Sequence, residues 1–85
     1  MSPEWPSWWE WPLESSRHVL YRMKRRGFSE TDLREMLEDA TAIDRDREPG
    51  RWIVSSRWHR WRWEIIVEPD FHLQVLTVIT VYRLD

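Results

Sequence analysis

No cysteine occurs among the 85 residues, which excludes a disulfide framework, a thiolate nucleophile and cysteine-ligated zinc. Small secreted domains usually depend on disulfides, so a cytoplasmic location is expected. Glycine is nearly absent too, with only Gly27 and Gly50. Phosphate-cradling loops and dinucleotide fingerprints need more, which excludes nucleotide cofactors. The three histidines, His18, His59 and His72, show no His-x3-His spacing, so no metal site and no cofactor are expected. None of the serines sits in a Gly-x-Ser-x-Gly elbow, which argues against acyl transfer. No apolar run approaches the roughly 20 residues that cross a bilayer, and Glu4 and Glu10 stand where a signal peptide would be basic. Neither export nor a membrane partner is expected. A chain this short folds as one domain, burying only about 60% of the surface its unfolded chain exposes.

Tryptophan is abundant instead, eight in all, in two clusters: Trp5, Trp8, Trp9 and Trp11, then Trp52, Trp58, Trp61 and Trp63. The formal net charge of -2 conceals segregation. Residues 1–14 carry -3, 15–28 carry +5, 29–48 carry -5, 51–63 carry +4 and 64–85 carry -3. Two cationic blocks therefore stand in an acidic chain.

Pro3, Pro6 and Pro12 forbid a regular helix at the start, so residues 1–14 read as an extended Trp-rich arm and 15–85 as a single domain. The arm's tryptophans either pack over the domain's own core or form an apolar patch that docks another chain, including a second copy. Val19, Leu20 and Met23 recur at helical spacing between Ser16 as N-cap and Gly27 as left-handed terminator, predicting a helix over about 16–26. Its other face stacks His18, Arg22 and Arg25 or Arg26. Ser29-Glu-Thr-Asp32 has the layout of a capping box and starts a second helix, whose core stripe is Leu33, Met36, Leu37 and Ala40. Residues 44–50 read as a loop. Three strands are then predicted, beginning at Trp52, running over 63–68 and running over 73–82, with Pro69-Asp70 as the last turn and Arg57 to Arg62 as a mobile basic connection. The expected fold is α+β: two N-terminal helices packed on one face of a three- to four-stranded antiparallel sheet.

Cationic blocks interleaved with aromatics suit a polyanion. Arginine and lysine bind phosphate, and Trp or His planes stack on unpaired bases, which makes RNA the expected partner. Arg25, Arg51, Arg57, His59, Arg60 and Arg62 are the candidate RNA-binding residues, and Trp5, Trp8, Trp9 and Trp11 the candidate partner-binding ones. For each tryptophan near the arginines, an ordinary core or cover role competes. Cleavage of RNA without a metal needs a base for the 2′-hydroxyl, an acid for the leaving oxygen and cations for the phosphate. His18 beside Arg22, and Arg57 with His59, supply such pairs; Thr80 and Tyr82 point to one face of the last strand.

The run Ser16-Arg-His18-Val-Leu-Tyr-Arg22-Met, then Arg26-Gly27-Phe-Ser29, Gly50-Arg51, Ile-Ile-Val67-Glu-Pro-Asp and Thr80-Val-Tyr82, resembles a small bacterial domain family of unknown function. That family is generally placed near the RelE, ParE and BrnT toxins of the barnase, EndoU, colicin and RelE group. The resemblance spans about residues 14–85. It implies helices on an antiparallel sheet and a metal-independent ribonuclease toxin paired with a cognate antitoxin. By motif position it puts His18, Arg22, Thr80 and Tyr82 in the catalytic set and Arg51 at the Gly-Arg position. His59 lies where that family is variable, so its role rests on the residues alone. Two readings stay open: an RNA-cleaving toxin with His18 as general acid or base, Arg22 and Arg57 on the phosphate and Tyr82 orienting substrate, or a non-catalytic interaction or nucleic-acid-binding module that associates through the arm. Convergence of His18, Arg22 and Tyr82 in one cleft would favour the first.

Overall fold

The computed structural model describes residues 5–84. The chain runs through a 3-10 turn (Ser7–Glu10), β1 (Leu13–Ser15), α1 (Arg17–Arg26), α2 (Glu30–Glu38), β2 (Ala40–Arg45), β3 (Trp52–Trp58), β4 (Trp61–Asp70) and β5 (Val75–Arg83). It is an α+β fold, but with a five-stranded sheet in the order β1-β5-β4-β3-β2.

Both helices start and stop where their caps dictate. The Ser16 side chain accepts from the Val19 amide, and Gly27 closes α1 in the left-handed region at φ 74°. Ser29 and Asp32 form a reciprocal capping box at the start of α2. Val19, Met23, Leu33, Met36 and Leu37 are buried by the two helices. They pack against Val54, Trp63, Ile65, Val67, Leu76, Val78 and Val81 of the sheet. Residues of a strand alternate between faces, so Glu64, Ile66 and Glu68 point to the opposite, helix-free face.

The sheet departs from the expected three- to four-stranded antiparallel arrangement in two places. β1 lies parallel to β5, with Leu13 opposite Leu76 and Ser15 opposite Val78, so the sheet is mixed and a strand precedes the helices. β2 pairs with β3 from Ala40 to Arg45, where Ala40 was expected in the second helix and residues 44 and 45 in a loop. The helix ends because Asp39 leaves helical geometry (φ -90°, ψ 14°), and Ile43, packed on the core, holds β2 to the sheet.

Two connections also differ from expectation. The basic segment expected as a connection over 57–62 is strand almost throughout: Arg57 pairs with Arg62 and Trp58 with Trp61, leaving a two-residue turn at His59-Arg60. Pro69 and Asp70 are not the last turn but the end of β4; the chain turns over 71–74, where Asp70 Oδ1 accepts from the amides of His72 (3.0 Å) and Leu73 (2.9 Å).

A register shift between Ile66 and Val67 leaves Ile79 as an extra residue in β5. It lets Leu76, Val78 and Val81 all face the helices and turns Thr80 and Tyr82 to the helix-free side. The Ile79 carbonyl accepts from Ser16 Oγ at 3.0 Å, which ties the start of α1 to this bulge.

Candidate nucleic-acid interface

α1 buries Val19 and Met23, and its outer flank carries His18, Tyr21, Arg22 and Arg25. His18 and Arg22, one turn apart, are joined: Arg22 Nε donates to His18 Nε2 at 3.0 Å. Arg25 lies 5.8 Å from the Tyr21 ring centroid. These four residues and Arg26 line a shallow depression of about 410 Å³. The last turn of the helix is wholly basic, with Lys24, Arg25 and Arg26. The partial negative charge of a helix C-terminus stabilises cations there.

The C-terminal end of α1 is tied to the β3–β4 hairpin through Phe28. Its N-cap is tied to the middle of β5, and immediately beyond its C-terminal Gly27, Phe28 is buried against two hairpin tryptophans. The Phe28 centroid is 5.8 Å from Trp63 and 6.2 Å from Trp58, edge to face in both cases. Phe28 thus anchors the end of the helix that carries the first cationic block to the hairpin that carries the second. Arg57 and Arg62 face each other directly across the hairpin, and His59 and Arg60 form its tip.

The aromatic rings of this end are fixed individually. Trp58 Nε1 donates to Glu35 Oε2 at 3.3 Å, and Trp63 Nε1 to the Trp58 carbonyl at 3.3 Å. The His59 ring lies 4.0 Å from that of Trp58. Trp61 is 42% exposed, and the Arg83 guanidinium sits over its ring at 4.2 Å. The sequence leaves base stacking and a core or cover role both open for Trp61 and gives Arg83 no role. Their pairing depends on Arg83 of β5 lying beside the outer end of β4, which only the sheet register reveals.

Thr80 and Tyr82 lie on the helix-free face, to which Arg57 and Arg62 also point by strand alternation. Tyr82 is opposite Glu64 and its hydroxyl donates to Glu64 Oε1. The carboxylate acceptor, with partial burial, pushes the phenol up to about 12. The depression lined by His18 and Arg22 does not include Thr80 or Tyr82. Arg51 is at the far end of the sheet, with Nε 3.3 Å from Glu68 Oε1, beside a depression of about 610 Å³ bordered by Trp8, Trp52 and Phe71. It lies at the opposite end of β3 from Arg57, Arg60 and Arg62.

The tryptophans of the arm divide. Trp8 is 4% exposed and belongs to the chain's own core, with its ring 5.8 Å from Trp52. Trp9 is half-buried and stacks on Trp5 at 4.5 Å, and Trp11 meets Phe71 edge-on at 5.3 Å. Arg34 Nη2 also reaches the Trp11 carbonyl at 3.5 Å. The arm is therefore laid against the domain along most of its described length.

Among the described residues, no group of three or more His, Asp or Glu side chains is placed to hold a metal ion, and no helix is long and apolar enough to cross a membrane. Residues 15–83 match the family model described as Domain of unknown function (DUF4258), and the chain belongs to that family. No curated protein and no solved structure matches it.

Proposed function

We propose that this domain binds RNA at the end formed by the basic turn of α1 and the β3–β4 hairpin. The observation that carries the reading is Phe28, which packs the end of the basic helix against the hairpin that bears Arg57 and Arg60, with Trp61 exposed next to the hairpin turn. Lys24, Arg25, Arg57 and Arg60 supply phosphate contacts, and each contact displaces condensed counterions. With about four such contacts on a single strand, affinity falls as roughly the third power of salt concentration, about 50-fold between 50 and 200 mM.

Fluorescence anisotropy with a labelled oligoribonucleotide of about twelve residues tests this. The double variant Arg57→Ala/Arg60→Ala is expected to lower the salt exponent by about 1.4, while Arg51→Ala, at the other end, leaves it unchanged. No binding at 50 mM salt, or equal loss in both variants, refutes the assignment.

The hydrogen bond between Arg22 and His18 favours a second reading, a ribonuclease toxin held by a cognate antitoxin. There His18 takes the 2′-hydroxyl proton and Arg22 holds the phosphate. It ranks second because Tyr82, expected to orient substrate, does not line the depression of His18 and Arg22 and has its hydroxyl committed to Glu64. Induction of wild type and His18→Ala in a bacterial host, following growth and RNA integrity, separates the two readings. Arrest with RNA cleavage that disappears in a folded His18→Ala protein establishes the toxin.

A further inference from the structure

We infer that the tip of the β3–β4 hairpin holds an unpaired base against Trp61, so that the ligand class is single-stranded rather than duplex RNA. This rests on the RNA-binding reading above and adds a base contact to its phosphate contacts.

Three observations at the tip carry it. The first is the ring itself. Trp61 sits directly beside the turn and is 42% exposed, on a chain that buries Trp8 and Trp63 to 4% and 6%. The second is its preparation. Arg83, from a different strand, lies 4.2 Å over the ring, which orients the indole and places a cation beside any base that stacks on it. An indole held in plane loses less freedom when it accepts a base than one that is free to rotate.

The third is the backbone. His59 and Arg60 both adopt positive φ, 51° and 75°, which is the geometry of a type I′ two-residue turn. Asn-Gly enters that turn easily, whereas side chains such as His and Arg cost about 1 kcal/mol or more each. What the chain gains is a tight two-residue turn that places His59 and Arg60 next to Trp61 in the chain. Duplex RNA hides its base faces within the stack and offers this tip only phosphates and groove edges, whereas a single strand offers a π-face at every residue.

The test compares an oligouridylate of about twelve residues with an abasic ribose-phosphate strand of the same length, both measured against wild type, Trp61→Ala and Trp61→Phe. Wild type is expected to bind the uridylate about tenfold more tightly than the abasic strand, a base-to-aromatic stack being worth that much. Trp61→Ala should bring the two strands within about twofold of each other by weakening only the uridylate, while Trp61→Phe keeps part of the preference. Because Trp61 is outside the buried core, circular dichroism of the variants should be unchanged. Binding of both strands by wild type with equal affinity, or a preference that survives in Trp61→Ala, overturns the inference while leaving phosphate binding intact. Failure of wild type to bind either strand removes the RNA-binding reading itself, and the inference with it.

Discussion

Replacing Trp8 by alanine asks whether the Trp-rich arm completes the core or waits for a partner. Trp8 is 4% exposed, so its removal uncovers close to the full area of an indole side chain, about 150–250 Å². At about 25 cal/mol per Å² that is roughly 4–6 kcal/mol, in line with the 3–5 kcal/mol typical of Trp→Ala in cores. Each kcal/mol moves the melting temperature of an 85-residue domain by about 4–8 °C, so Trp8→Ala should melt at least about 12 °C lower. Trp9→Ala is the control: half-buried and stacked on Trp5, it should cost only about 1 kcal/mol. Thermal unfolding followed by near-ultraviolet circular dichroism measures both, and light scattering on the same samples gives the mass. A Trp8→Ala protein with the wild-type melting temperature, or one whose main change is a fall in mass from dimer to monomer, refutes the core assignment and returns the arm to the partner-docking role.

Gly27→Ala places a methyl group in open space but at φ 74°, so a loss of about 1 kcal/mol in urea unfolding is expected from backbone conformation alone. The Tyr82 phenol is raised from 10.0 to about 12 in the fold, so the unfolded chain releases its proton first as pH rises. Stability should be unaffected by this group below pH 10 and decline between 10 and 12, and Tyr82→Phe should flatten that part of the profile. Replacing His59-Arg60 by Asn-Gly should raise the melting temperature by several degrees while weakening RNA binding; a variant that gains neither stability nor loses affinity would contradict the strained-tip account.

The helices could be read from the sequence because their signals are local. Ser16, Gly27, Ser29 and Asp32 act within four residues of the backbone groups they satisfy. β1 and β2 escaped because their signals are not local. Leu13 to Ser15 is three residues among prolines, stabilised by a partner more than sixty positions away. Ala40 and Ala42 carry little strand propensity, and the edge forms because β3 offers it a ladder. The site shows the same division. The cationic blocks, His18 with Arg22 and the facing of Thr80 with Tyr82 follow from spacing. The commitment of Tyr82 to Glu64 and the seat of Arg83 on Trp61 follow from register, which no single segment encodes.

The two basic blocks are not equivalent in energy, and the difference locates the functional burden. Lys24, Arg25 and Arg26 occupy a helix C-terminus, where the helix dipole stabilises them, so that block is consistent with the fold without any ligand. The hairpin block violates local preference twice: positive φ at His59 and positive φ at Arg60. Departures from local consistency tend to mark functional sites, because an idealised turn would be more stable and would present nothing. A polyanion that binds the folded tip and not the unfolded chain should also stabilise it. Stabilisation of the hairpin by RNA, seen as slowed amide hydrogen exchange in β3 and β4 greater than that in α1, is therefore the signature that separates recognition by the tip from general attraction to the basic helix.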